Sequence, residues 1–328
     1  MLSTPHLSAR VTRSVFISII AGIGLYFIGI VSTDYEPTKQ AILSFPVEGW
    51  LIILGLSLVN YLLRFLRWDI YIQTLSKIRI KKKYHLAYYL GGFALSTTPG
   101  KAGETIRSLY LIHHGITFTQ SISVFFVERF LDLLTITLLS FAVVYLFSDY
   151  TLIVIITTVV AISLLPLMHS QFFINGLTTL STKLHNKRLS GIISHLTNLL
   201  QSSSQLLKNR MLYGGLGIGM VAWAAEGIGL WILLHYLGQD IAIMAAVGIY
   251  AIAVLVGALS LLPGGLGTTD VVMAILLVSL GIDHATAVAA TLICRVATLW
   301  FAVLLGFIMI GLLFLRGITP STSITDEG

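Results

Sequence analysis

The chain has 328 residues, of which 56% are hydrophobic and only 10% charged, and its mean hydropathy is +0.91. Twenty bases against fourteen acids give a net charge of +6 and a pI near 9.4. No soluble fold of this size hides so much apolar surface behind so few charges, so the composition excludes a soluble globular enzyme, a disordered chain and a nucleic-acid module.

Six apolar stretches are long enough to cross a bilayer as helices, which takes about 20 residues each. They run approximately over Ser14–Val31, Val47–Leu66, Ser121–Phe147, Thr151–His169, Leu212–Leu237 and Ala287–Leu315. None alternates in the manner of a membrane β-barrel strand. Arg10 and Arg13 precede the first stretch as they would a secretory signal, but no small-residue cleavage site follows at Val31–Asp34, so a retained helix is expected. Bases crowd the end of the second stretch and the segment after it, at Arg64, Arg67, Lys77, Arg79 and Lys81–Lys83. A second basic group is Lys183, Lys187, Arg188, Lys208 and Arg210, and Arg316 closes the last stretch. With these on the cytoplasmic side the six spans alternate without conflict, and both termini are predicted to be cytoplasmic. The outer loops then hold Asp34, Glu36, Glu48, Asp149 and Asp240, with Lys39 as their base. The polar, basic segment 170–210 has apolar residues at helical spacing and reads as a cytoplasmic amphipathic helix or pair.

The chain repeats itself. Residues 94–103 and 258–267 share Ala94/Ala258, Leu95/Leu259, Ser96/Ser260, Pro99/Pro263, Gly100/Gly264 and Gly103/Gly267. Further on, Gly115 answers Gly281 and Arg129 answers Arg295, at an offset longer by two residues. A second block in register points to duplication. Each half has three spans, an odd number, so the halves enter the membrane from opposite sides. The predicted fold is an all-α integral membrane protein built as an inverted repeat, with three spanning helices and one re-entrant Pro-Gly hairpin per half. The first repeat is 1–150 with its hairpin near 86–110. The second is 151–316 with its hairpin near 245–281, and 317–328 is a polar tail. Pro99, Gly100, Gly103, Pro263, Gly264, Gly265 and Gly267 form the re-entrant turns, whose tips are expected to meet near the midplane. Ile241–Leu262 is apolar enough to span outright, so eight spans are the alternative count.

Ionisable groups at membrane depth are costly and point to function. Glu226 falls near mid-bilayer, either as a substrate or proton site or as a neutral acid tying two helices together. Glu128 and Asp132 share one helix face, and Arg129 points elsewhere. Lys101, Glu104 and Arg107 follow the first Pro-Gly turn, and Asp270 follows the second. In a polar cavity Arg129 and Arg295 would receive a phosphate through their planar forks. The bland reading of Arg129 is a structural ion pair. Nine histidines are scattered without metal-ligand spacing, and the lone Cys294 excludes an internal disulfide framework, so no metal and no cofactor is expected.

At these motifs the sequence resembles the flippase-like transmembrane domain of lysylphosphatidylglycerol synthases and their relatives. Pro99, Gly100, Lys101, Gly103, Glu104 and Arg107 match one family run, and Glu128-Arg129 with Asp132 matches a second. Pro263, Gly264, Gly265, Gly267 and Asp270 match a third, with Asp in place of Glu. Arg64, Arg67 and Trp68 are family-like as well. The sequence contains no soluble aminoacyl-transfer domain, so lysyl transfer from tRNA is not implied. The resemblance implies handling of a polar lipid at the cytoplasmic (inner) membrane. The expected partners are membrane lipids, either anionic phospholipid or polyprenyl-phosphate-linked lipid, and no nucleic acid. A homo-oligomer is compatible with this. The head group would meet Lys101, Arg107, Arg129 and Arg295, while Glu104, Glu128, Asp270 and Glu226 balance or gate the charge. Two other functions compete: an ion-coupled small-solute transporter with Glu226 as proton site, and a membrane transferase using Glu128 and Asp132 on a lipid-linked sugar.

Overall fold

The structure is a computed structural model that describes residues 35–144, 151–169, 175–176, 178–179, 197 and 199–321. The expected first span Ser14–Val31, the bases Lys183, Lys187 and Arg188, and most of the segment 170–210 lie outside the described residues. Among those described, the regular structure is helical throughout, with no strand. The helices are α1 (Tyr35–Ser44), α2 (Val47–Ser76), α3 (Lys82–Gly92), α4 (Ile106–Ile112), α5 (Phe118–Val144), α6 (Thr151–His169), α7 (Asn209–Tyr236), α8 (Ile243–Leu259), α9 (Thr268–Ser279), α10 (His284–Arg295) and α11 (Phe301–Leu315). Helices α10 and α11 join through a π-turn at Val296–Trp300 into one rod from His284 to Leu315.

Three of these rods, α2, α7 and α10–α11, are long and apolar enough to cross a membrane. Their outer faces are apolar and exposed, with Leu51, Leu58, Leu62 and Leu66 on α2 and Leu304, Phe307, Ile308 and Leu312 on α11. Surface of that kind on several rods is lipid-facing surface. The chain is a membrane protein. Helix α8 is a shorter apolar helix, and so is the segment Pro263–Ser279.

Helix α2 continues past the expected end at Leu66 to Ser76, because its second half is buried in protein. Arg64 and Arg67 are therefore not loop charges. They are 3% and 0% exposed inside the bundle, which corrects their assignment to the cytoplasmic basic group. Lys77 caps α2 in the left-handed conformation, returning its N–H to the Gln73 carbonyl. Asp283 caps α10 by accepting the Thr286 N–H at 3.1 Å.

The packing is crosswise. Helix α2 lies against α7, joined by Asn60 Nδ2 donating to the Ala222 carbonyl at 2.8 Å. Helix α3 and the 3-10 turn Phe93–Leu95 pack on α11, and α8 packs on α5. Gly306 of α11 lies so close to the hairpin that an added Cβ would stand 2.1 Å from the Ala94 nitrogen. Two apolar groups result. One contains Phe45, Ile53, Leu230, Tyr250 and Ile293, and the other Trp68, Tyr71, Tyr89, Phe93 and Leu131. Residues 199–206 are helical, and Leu206 and Leu207 join the second group, so this end of the amphipathic segment rests on protein.

Candidate functional site

Between the two apolar groups lies a charged seam. Helix α5 brings Glu128, Arg129 and Asp132 to it, and α2 brings Arg64 and Arg67. The first hairpin brings Lys101, Glu104 and Arg107. Asp132 is the hub. Arg67 Nη2 donates to its Oδ1 at 2.5 Å, while Arg129 and Arg64 reach Oδ2 at 3.0 and 3.3 Å. Trp223 Nε1 of α7 adds a hydrogen bond to Oδ1 at 3.2 Å. Glu128 pairs with Arg107, whose guanidinium lies 3.7 Å from the Trp68 ring centroid and also faces Tyr89. Glu104 accepts from Ser96 Oγ at 2.7 Å and faces Arg129 at 3.8 Å. Arg64 and Lys101 both lie against the Trp223 ring, at 5.2 and 5.9 Å.

Removing such charges from water is expensive, and the cost is offset only where each meets an opposite charge in good geometry. Each carboxylate faces an arginine, although Glu104 Oε2, Glu128 Oε1 and Asp132 Oδ2 accept no hydrogen bond among the described residues. The bases are matched less fully. Lys101 Nζ has no carboxylate within 4 Å among the described residues, and Arg64 Nε and Arg129 Nε find no hydrogen-bond acceptor there. Arg129 is the most open of the seam's four arginines, with a fifth of its side chain exposed. The seam thus holds more cationic groups than carboxylates.

The two Pro-Gly turns share one geometry. After Pro99, Gly100 and Lys101 take left-handed angles (φ 59° and 56°); after Pro263, Gly264 and Gly265 do the same (φ 62° and 65°). Lys101 N–H donates to the Thr98 carbonyl at 2.8 Å, and Gly265 N–H to the Leu262 carbonyl at 2.9 Å. The turns touch each other: a Cβ built on Gly264 would meet Thr97 Cα at 3.5 Å. Behind the second turn, Arg295 donates to the Gly264 carbonyl at 2.8 Å and pairs with Asp270 at 2.9 Å. Asp270 also accepts the Gly267 N–H at 2.8 Å, which starts α9. Arg129–Glu104 and Arg295–Asp270 are thus each an arginine paired with a carboxylate that follows a Pro-Gly turn. Their surroundings differ. Arg295 braces a backbone turn, and Arg129 is part of the open seam.

Glu226 stands apart from the seam. It accepts a hydrogen bond from Tyr250 on α8 and has no base within 4 Å among the described residues. It lines a small buried cavity with Ser57, Gly229, Cys294 and Thr298. Beside the cavity the π-turn frees the Thr298 carbonyl, and Tyr61 donates to it.

Of the residues singled out in the sequence, Lys101, Glu104, Arg107, Glu128, Arg129 and Asp132 come together in the seam. Asp270 and Arg295 form a separate pair at the second turn, and Glu226 lies in its own cavity. Sequence reasoning passed over Trp223 and counted Arg64 and Arg67 with the loops. A signal for both arginines was present: their i, i+3 spacing puts them on one helix face, next to Trp68.

Comparison with known proteins follows from this geometry. The family described as Lysylphosphatidylglycerol synthase TM region matches residues 14–306. The UPF0104 membrane protein PH1989 of Pyrococcus horikoshii is 20% identical over 321 residues, covering 90% of this chain and 96% of its own. The UPF0104 membrane protein MJ1595 of Methanocaldococcus jannaschii is 26% identical over 267 residues, covering 74% and 78%. A UPF0104 membrane protein of Methanothermobacter thermautotrophicus is 25% identical over 266 residues, with the same coverage. With a match spanning most of its length, the chain belongs to the lysylphosphatidylglycerol synthase transmembrane-region family.

Proposed function

We propose that this protein is a lipid flippase or transporter that carries a polar, phosphate-bearing lipid, either an anionic phospholipid or a polyprenyl-phosphate-linked lipid, across the cytoplasmic membrane. The observation that carries the proposal is the cationic surplus of the buried seam beside the first Pro-Gly turn. A phosphate supplies the acceptors those donors lack, and guanidinium groups bind it through two parallel hydrogen bonds. The family membership agrees with lipid as the cargo.

We read the fold as an inverted repeat with six spans. Equivalent turn geometry in the two halves supports this, as does the crosswise packing of α3 on α11 and of α8 on α5. We read repeat boundaries at 1–150 and 151–316. The exposed bases Lys77, Arg79, Lys81, Lys82, Lys83, Lys208, Arg210 and Arg316 gather at one end of the bundle. There Tyr71 reaches the Met211 carbonyl and Ser321 reaches the Leu109 carbonyl. The exposed acids Glu36, Glu48, Asp240 and Asp283 lie at the other end, where Phe45 contacts Tyr236. That separation favours both termini on the cytoplasmic side of an inner membrane.

The proposal makes the protein a transporter rather than a transferase. Glu128 pairs with Arg107, and three arginines converge on Asp132, which supports a structural, charge-balancing role for both over that of a catalytic acid or base. One observation favours a coupled mechanism as a second reading: Glu226 and Tyr250 form a buried acid site with no base within 4 Å among the described residues. Under that reading a pH gradient drives transport, and Glu226→Gln removes the gradient dependence.

Mass spectrometry of the lipids that copurify with the protein tests the main reading. Enrichment of a phosphate-bearing polar lipid over its share of the membrane, lost in Arg129→Ala, is expected. A lipid profile equal to that of the bulk membrane in both proteins contradicts it.

A further inference from the structure

Lys101 occupies a position that favours glycine. Its φ of 56° lies in the left-handed region, where a side chain costs about 1 kcal/mol or more. At the equivalent position of the second turn the residue is Gly265, at φ 65°. The chain therefore keeps a lysine where the backbone prefers none, a form of strain that concentrates at functional sites. The ammonium group has no carboxylate within 4 Å among the described residues and lies against the Trp223 ring beside Arg64.

The seam joins five bases, Arg64, Arg67, Lys101, Arg107 and Arg129, with three carboxylates, Glu104, Glu128 and Asp132. Two positive charges are left over. Asp69 does not reduce this count, since it pairs with His85 and Gln73 rather than with an arginine. Without Lys101 the surplus falls to one.

We infer that the seam selects a dianionic head group, a phosphate monoester on a lipid chain, over a monoanionic phosphodiester, and that Lys101 is the residue that discriminates. This rests on the lipid-phosphate reading above and narrows it to one charge state. A monoester carries about two negative charges near neutral pH and a third terminal oxygen for hydrogen bonding. A diester offers one charge and one oxygen fewer. Arg129, with a fifth of its side chain exposed, and Lys101, which is half-buried, are the two bases of the seam that are not fully buried.

The test is calorimetric titration of the detergent-solubilised full chain with farnesyl phosphate and with its monomethyl ester, two ligands that share one lipid chain and differ by one charge. The wild type should bind the monoester about tenfold more tightly or better, the yield of one charge-assisted hydrogen bond. Lys101→Gly should melt no lower than the wild type, because it relieves the left-handed backbone, and should bind both esters with similar affinity. Lys101→Arg should keep the preference. Equal affinity of the wild type for the two esters overturns the inference and leaves the lipid-phosphate reading standing. A preference that survives in Lys101→Gly overturns the assignment to Lys101. Binding of neither ester overturns the inference and the lipid-phosphate reading together.

Discussion

Asp132 holds the seam together as a single side chain. Three guanidinium groups converge on it, and it is nearly excluded from solvent. Replacing it by asparagine leaves those charges without a counter-ion in a low-dielectric setting. Loss of one partner from a buried ionic group costs about 3–5 kcal/mol. Asp132→Asn is therefore expected to lower the melting temperature in detergent steeply, and a melting curve that matches the wild type would contradict the hub role. Arg129 differs: when it is removed, Asp132 keeps Arg64 and Arg67, so Arg129→Ala should fold in normal yield. The individual charges at membrane depth were legible in the sequence, since each is conspicuous in an apolar run. Their pairing was not. Arg67 and Asp132 are 65 positions apart, and no local rule joins them. Arg64 and Arg67 resembled loop charges because they stand at the end of the apolar stretch of α2, and only the packing of α5 and α7 around them reveals a buried site.

At the scale of elements, the Pro-Gly turns were the most legible feature. A proline that removes a helical donor, followed by glycines that accept positive φ, dictates a turn wherever it occurs. Helix ends were less legible, because α2 runs on under tertiary cover past the point where its hydropathy falls. The π-turn at Val296–Trp300 has no proline or glycine to announce it and follows from packing alone. The close approach of α11 to the first hairpin makes a sharp prediction. At Gly306 even a methyl group would strike the backbone at Ala94, which no side-chain rotation can relieve. Overpacking of this kind costs about 1–3 kcal/mol. Gly306→Ala should lower thermal stability by that order, while Gly311→Ala on the same helix, with nothing within 4 Å, should leave it unchanged. Equal melting temperatures for the two variants would mean that the hairpin does not sit on α11.

For the whole molecule, we read the exposed charges of the described residues as sorted, with most bases at one end and, Lys39 apart, acids at the other. The sorting predicts labelling behaviour. Cysteine placed at Lys82 should react with a membrane-impermeant maleimide only from the cytoplasmic side, and cysteine at Asp240 only from the opposite side. Cys294 is buried and should stay unlabelled in both. Reaction of both positions from one side would remove the topology on which the inverted repeat depends. The claim that lipid crosses through the seam is tested most directly by translocation of phosphate-bearing lipids, phosphatidylglycerol and a short polyprenyl phosphate, in vesicles reconstituted with wild type or with Arg129→Ala at equal protein content. Transfer of at least one of them by the wild type, and none above protein-free vesicles by Arg129→Ala, is the predicted result. Equal transfer by the two proteins, or no transfer of either lipid by the wild type, would contradict it.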